Sequence, residues 1–396
     1  MGEREVVLKG VGPGQNQKQQ SCCGSDVDTA RASTGCSQGQ EIHECTSRMK
    51  QAFVRGTVQT PIGPVPGIFS SLVWSDRRGN IKARWGAGRM HYTVEPGLYA
   101  LGRPDEGSPV LVTANYKMSF DRLREALPDR HAWILVLDTK GINVWCSAGK
   151  GTFGTEKLVE RIESSRLSQV VSHRRLILPQ LAGPGVAAHR VKKLSGFTVI
   201  YGPIRARDLP AFLDADLKAT PDMRRKTFTA WERAVLIPVE LVSASKWTCI
   251  LIPVFFFLGG LGGPAGFWAN AFTYGLTAAL ALLGSLAAGA VLTPLLLPWL
   301  PGRAFSLKGL SMGLLTALLV AVFRGGDLGL WSGRLEILAW FFLVPAIAAY
   351  LAMNFTGAST YTSLSGVKRE MKWAVPMEVA AGAVGLCLWL GSRFVA

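Results

Sequence analysis

A chain of 396 residues, 48% of them hydrophobic, with mean hydropathy +0.23, has room for two domains and is too apolar to be wholly soluble. The formal net charge of +16 does not indicate nucleic acid: Lys and Arg occur singly or in pairs such as Arg77 and Arg78, without an aromatic stacking platform, so anionic lipid and an acidic partner explain it better. The seven cysteines have no framework spacing and no secretory signal precedes them, which excludes a disulfide scaffold and suits a reducing cytoplasm.

Residues 1–48 are rich in Gly, Gln, Ser and Cys and lack apolar periodicity, so they read as a disordered tail. The adjacent thiols of Cys22 and Cys23 have the softness to hold a metal ion, but two exposed cysteines by chance is the plainer reading. Residues 49–220 have a globular texture. A hairpin is expected where residues 71–74 lead into the turn 76–80 (DRRGN) and back through 81–85. Strand and helix then alternate: strand 109–114, helix 120–127, strand 132–138, a Gly-rich loop, helix 155–164, strand 176–179, helix 186–194, strand 197–201 and helix 209–215. That order predicts an α/β head with a doubly wound, Rossmann-like parallel sheet, whose ligand sits beyond the carboxyl ends of the strands.

Residues 221–245 read as a linker, and residues 246–396 as a membrane all-α domain of five spans near 246–262, 269–297, 306–323, 335–354 and 374–392. Lys and Arg precede the first span, Arg303 and Lys308 separate the second from the third, and Lys368, Arg369 and Lys372 separate the fourth from the fifth. The other connections are uncharged or balanced, so the head is expected in the cytoplasm of a multi-pass cell-membrane protein and the C-terminus outside. Trp247, Trp268, Trp299, Trp331, Trp373 and Trp389 fall near span ends, as an interfacial belt requires. Cys249 and Cys387 lie inside apolar spans and read as lipid-facing or packing residues. A transporter with a regulatory head is the rival from another class, but the spans as drawn carry no central charge and no broken-helix pair.

The segment 141–155, GINVWCSAGKGTFGT, follows the strand that ends at Asp138, which is the position of a ligand loop. Gly149, Lys150, Gly151 and Thr152 resemble a P-loop, but Gly151 stands where Ser or Thr must follow the Lys, and Val144 where the motif opens with Gly. Cys146 has no Cys or His at chelating spacing, which rules out an all-protein zinc or iron–sulfur site. A lone thiolate suits a metal whose other positions are filled by a macrocycle; a buried cysteine packed as a small hydrophobe is the structural alternative. If a short helix follows Asn143, its amide dipoles and Lys150 favour the thiolate.

The run NVWCSAGKGTFGT is very similar to the signature of the corrinoid proteins of microbial mercury methylation, whose head is related to the corrinoid iron–sulfur protein of the acetyl-CoA pathway. The resemblance continues through PGLYALGRPDEGSPVLVTANYK, LPQLAGPGVAAHRVKKLSGF and NFTGASTYTSLSGVKREM, and covers most of residues 55–396. Ser147 departs from the pattern, which commonly has Ala there. By this resemblance Cys146 is the lower axial ligand of a cobalamin-type corrinoid cobalt, on a cap helix with Asn143, Val144, Trp145, Ser147, Ala148, Gly149 and Lys150. The cofactor segment runs on through Gly151, Thr152 and Phe153, and Thr113 faces the corrin from the other side. The usual cobalamin signature, Asp-x-His-x-x-Gly, is missing: its closest match, Asp129 to Ile134, lacks the Gly, and His131 reads as a surface residue.

The activity implied is methyl transfer from a methyltetrahydrofolate-derived source, through methylcobalt, to mercury(II) as substrate, giving methylmercury. A ferredoxin-like partner with [4Fe-4S] clusters is implied as the reductant. The polar segment 354–371 is either its landing place or a solvated loop. The alternative is an acetyl-CoA-type methyl carrier with a different acceptor.

Overall fold

The computed structural model describes residues 51–263, 265–325, 329–355 and 364–395. The tail with Cys22 and Cys23, and residues 356–363 of the segment 354–371, lie outside the described residues. Among the described residues seven strands form one sheet: β1 (Val54–Thr60), β2 (Gly63–Ile68), β3 (Gly97–Leu101), β4 (Val110–Ala114), β5 (Ala132–Leu137), β6 (Arg175–Leu178) and β7 (Thr198–Tyr201), in the order β1-β2-β3-β5-β4-β6-β7. β5, β4, β6 and β7 are parallel, as expected. Every residue of β4 and β5 is buried, because helices cover both faces and an apolar run without alternation is what such strands need.

The parallel core is extended at its other side by strands the sequence reading did not place, where β3 runs antiparallel to β5 and β1 pairs antiparallel with β2. Those strands escape a pattern reading because β1 and β2 are built largely from Gly, Pro, Thr and Gln, with little apolar alternation. The hairpin expected over 71–85 is corrected: helix α1 (Trp74–Arg84) occupies it. The sequence DRRGN carries turn chemistry, but Asp76 accepts a hydrogen bond from the Val73 amide (3.2 Å), as a residue in a first helical turn does. Gly79 is needed inside the helix because Tyr92 lies against it; a Cβ there would come within 2.7 Å of the phenol ring.

Helix α2 (Lys117–Glu125) is tied to α1 by buried charges. Lys117 Nζ reaches Asp76 (2.8 Å) and Asp121 (2.5 Å), while Arg124 reaches Asp76 (2.5 Å) and donates to the carbonyls of Phe69 and Ser71 (3.0 Å each). Burial raises the Asp121 carboxyl above its ordinary value despite these cations. At Asp76 burial acts the same way, but Lys117 and Arg124 outweigh it and hold the carboxyl below its usual value.

Among the described residues, five helices are long and apolar enough to cross a membrane: Ala230–Gly259, Phe267–Leu296, Phe305–Arg324, Trp331–Asn354 and Gly366–Gly391, here spans 1 to 5. The first begins within the stretch read as linker, after the Thr229 hydroxyl accepts from the Glu232 amide. At one end of the bundle Glu336 pairs with Arg324 (3.3 Å) and Arg393 (3.1 Å), and Arg393 stacks over Tyr274, 3.4 Å from the ring centroid. At the other end Arg233 donates to the Leu295 carbonyl (2.9 Å) and Glu370 accepts from the Ser306 amide (2.7 Å). The head is thus joined to the end that carries Arg303, Lys308 and Lys368.

Two sequence expectations fail in the bundle. Trp389 is no interfacial residue, being fully buried against Phe255 and Trp340. And a span does carry a central ionisable residue: span 5 starts earlier than drawn, which puts Glu378 at its middle, both carboxylate oxygens buried and without a hydrogen-bond partner among the described residues. Cys249 and Cys387 lie on the exposed surfaces of spans 1 and 5.

Replacing Arg124 with Met would leave Lys117 alone against Asp76 and Asp121 and take the donor from two carbonyls in the head. Denaturant unfolding followed on the buried Trp133 should show a loss of about 3–5 kcal/mol, against about 0.5 kcal/mol for Lys157→Ala, which removes an exposed pair with Glu160.

Candidate functional site

The chain passes from β4 to β5 on one side and then crosses to β6 on the other, so the switch point lies between β4 and β6. A cavity of about 630 Å³ opens there, within the size range of cofactor sites. Its floor comes from the strand ends, with Thr113 of β4, Leu178 at the end of β6 and Pro179 just after it. Asn143, Val144 and Trp145 form one wall, and Phe228, Trp231 and Leu236, next to and within span 1, form another. A smaller cleft of about 330 Å³ lies at the opposite edge of the strands and holds His131, which is exposed and accepts from the Arg103 amide (3.2 Å).

The expected helix after Asn143 is present as α3 (Val144–Lys150). Asn143 caps it: its Oδ1 accepts from the Cys146 amide at 2.9 Å. Cys146 therefore sits in the first turn, half-buried, one residue beyond the cavity-lining Trp145 and not itself among the lining residues. Burial pushes its thiol above the ordinary value, against the pull of Lys150, the Asn143 side chain and Arg89. Lys150 acts in the expected direction, but desolvation wins.

The rest of the segment holds the helix in place. The Ser147 hydroxyl donates to the carbonyls of Asn143 (2.6 Å) and Val144 (3.0 Å) and is fully buried, so its polarity is absorbed locally. Gly151 ends the helix with φ +80°, a left-handed cap that favours glycine. Phe153 is buried in the core, and its amide donates to the Ser147 carbonyl at 3.1 Å. Thr152 Oγ1 reaches the same carbonyl only at 3.5 Å, and Gly149 and Lys150 are exposed. Ala148 meets the backbone of Gly185, where a Cβ would lie 2.9 Å from the Ala148 Cα and the Ala148 carbonyl oxygen.

Of the sequence-named residues, then, Thr113, Asn143, Val144 and Trp145 share the cavity, Cys146 borders it, and Ser147 to Phe153 build the support. Sequence reading missed Arg84, Arg89, Tyr116 and Lys226, which also line the cavity. The signal for Arg84 lay inside the stretch taken for a hairpin, and Arg89 follows it in a short turn. The residues fit a macrocyclic metal cofactor: a mostly apolar cavity opens beside a single soft donor whose helix is capped and braced.

Residues 85–213 match the family of the CO dehydrogenase/acetyl-CoA synthase delta subunit. The chain is 38% identical over 125 residues to the acetyl-CoA decarbonylase/synthase complex subunit gamma of Methanopyrus kandleri, covering 31% of this chain and 27% of that one. It is 34% identical over 127 residues to the subunit gamma of Methanocaldococcus jannaschii, covering 32% and 26%. It is 29% identical over 126 residues to the corrinoid/iron-sulfur protein large subunit of Moorella thermoacetica, covering 31% and 28%. The chain thus spans about a quarter of the length of these relatives, and its head is related to the acetyl-CoA-pathway corrinoid protein.

Gly185→Ala should force α3 away from its support. Overpacking of this kind costs about 1–3 kcal/mol, so alkylation of Cys146 in the folded protein, located by mass spectrometry, should accelerate roughly tenfold or more. An unchanged rate would mean that Gly185 does not hold the helix.

Proposed function

We propose that the head related to the acetyl-CoA-pathway corrinoid protein binds a corrinoid at the carboxyl ends of β4 and β6, and that the chain is a membrane-bound methyl carrier whose acceptor is mercury(II). The observation that carries this reading is the lone thiol of Cys146, in the first turn of a capped helix beside a cavity of about 630 Å³. When bound, the corrinoid supplies a cobalt that takes up a methyl group from a methyltetrahydrofolate-derived donor and gives it up again. Cys146 would hold that cobalt, with its proton lost to solvent on binding. Thr113 would face the corrin ring, while Asn143 and Gly185 fix the helix that presents the thiol. The apolar walls formed by Val144, Leu178, Phe228 and Leu236 exclude water from the site.

Mercury(II), the substrate, is an electrophile and accepts a methyl group together with its bonding electron pair. A thiolate donates more electron density than imidazole and so favours release in that form, which is what singles out mercury among acceptors. A ferredoxin-like partner with [4Fe-4S] clusters would supply electrons between turnovers. The names of the relatives favour a second reading, an acetyl-CoA-type methyl carrier, which differs in its acceptor.

In a single turnover from pre-methylated protein, Cys146→Ala should give no methylmercury while the spans stay inserted. Cys146→His should still bind corrinoid but transfer more slowly, each tenfold loss corresponding to about 1.4 kcal/mol of barrier. A His variant as fast as the parent would defeat the thiolate argument, and an active Ala variant would defeat the ligand. No methylmercury from the parent would leave the acetyl-CoA-type carrier.

The membrane half is read as an anchor in the cell membrane, with the head in the cytoplasm. A reporter fused after Ala396 should be exposed outside, and one inserted between spans 4 and 5 should stay inside; the reverse pattern overturns the orientation.

A further inference from the structure

The cavity is apolar over most of its surface yet strongly unbalanced in charge. Arg84, Arg89, Arg122 and Lys226 line it, and Glu232 is the one carboxylate among the lining residues. That carboxylate is already engaged, paired with Lys226 and accepting from the Thr229 amide at 3.0 Å. Arg122 pairs with the exposed Glu125 (2.8 Å), away from the cavity lining. Arg84 and Arg89 form no ion pair among the described residues; Arg89 lies over the Tyr116 ring, 5.8 Å from its centroid. Glu240 of span 1 comes within range of the Arg89 charge without pairing with it.

Three guanidinium groups on one wall repel each other, and the wall is partly desolvated. Burial first, then the charges of Arg122 and Arg89, push the Arg84 guanidinium below its ordinary value. Such an arrangement is unfavourable for an apolar ligand alone and becomes favourable when the ligand brings an oxyanion to the arginines. Resting on the reading of this cavity as a corrinoid site, we propose that Arg84 and Arg89, backed by Arg122, form an anion subsite in its wall for an oxyanion of the molecule that fills it. Two sources have this chemistry: the phosphodiester in the nucleotide tail of the corrinoid, and the glutamate carboxylates of a folate-type methyl donor.

The test uses the full chain in detergent, with the double variant Arg84→Gln/Arg89→Gln and its charge-keeping counterpart Arg84→Lys/Arg89→Lys. The probes are cobalamin, cobinamide (the same ring without the nucleotide phosphodiester) and triglutamate, with corrinoid binding read from the absorption spectrum and triglutamate binding by calorimetry. If the phosphodiester is the source, the Gln variant binds cobalamin about 10- to 100-fold more weakly and cobinamide as the parent does. The Lys variant then recovers much of the loss, and the parent's preference for cobalamin shrinks with salt. If carboxylates are the source, both corrinoids bind parent and variant alike, but triglutamate binding to the corrinoid-loaded parent is lost in the Gln variant. Equal weakening of both corrinoids, or no change with any probe, overturns the subsite. A parent that binds neither corrinoid defeats the reading beneath it, and triglutamate binding to the parent and the Gln variant then decides on the arginines alone.

Discussion

The helix that carries Cys146 reaches the strand ends because residue 185 has no side chain. A Cβ at Gly185 would clash with the Phe153 carbonyl oxygen and lie 2.9 Å from the Ala148 Cα, so any larger residue would push on both the helix and the segment that leaves it. The rest of the site depends on that contact. Asn143 caps the near end of the helix, Gly151 closes the far end, and Phe153 anchors the exit in the core. A seven-residue helix has little stability of its own, and here tertiary contacts at both ends supply what helix propensity does not.

Charge is sorted by place. Deep between α1 and α2, cations and carboxylates are matched, and Arg124 also satisfies two carbonyls, so desolvation is offset by several bonds at once. At one end of the bundle Glu336 takes two arginines and Arg393 stacks on Tyr274. In the cavity wall Arg84 and Arg89 have no ion-pair partner among the described residues. Two arginines without an ion pair beside a partly desolvated cavity contrast with the matched charges between α1 and α2, which is the physical ground for an anion subsite there.

The cavity also joins the two halves of the chain. Phe228, Trp231, Val235 and Leu236 belong to the membrane-proximal stretch, yet they wall the same space as Thr113 and Trp145 of the head. Gly86, after α1, packs near Val239 and Val242 of span 1, at distances where a Cβ would be in ordinary contact. The cavity is therefore walled in part by the membrane-proximal helix, and the head would not present the same cavity without it.

What the sequence determined by itself is what repeats over a short stretch of chain. Runs such as VLVTA and AWILVL specify buried parallel strands, five long apolar segments specify spans, and Asn143 three residues before Cys146 specifies a capped helix. Each depends on neighbours within one or two turns or one strand. The tertiary structure alone decided what depends on residues far apart. Residues 74–84 carry a turn-like DRRGN yet form a helix, because Asp76 is claimed by Lys117 and Arg124, 41 and 48 residues away. Glu378 becomes central only because span 5 begins earlier than its apolar run. Arg84, Arg89 and Lys226 come together with Thr113 and Trp145 from separate segments, since the crossover at β4 and β6 is what opens a space between them. Local pattern fixes an element where its periodicity is strong; where it is weak, as in residues 74–84, packing decides both which element forms and what it faces.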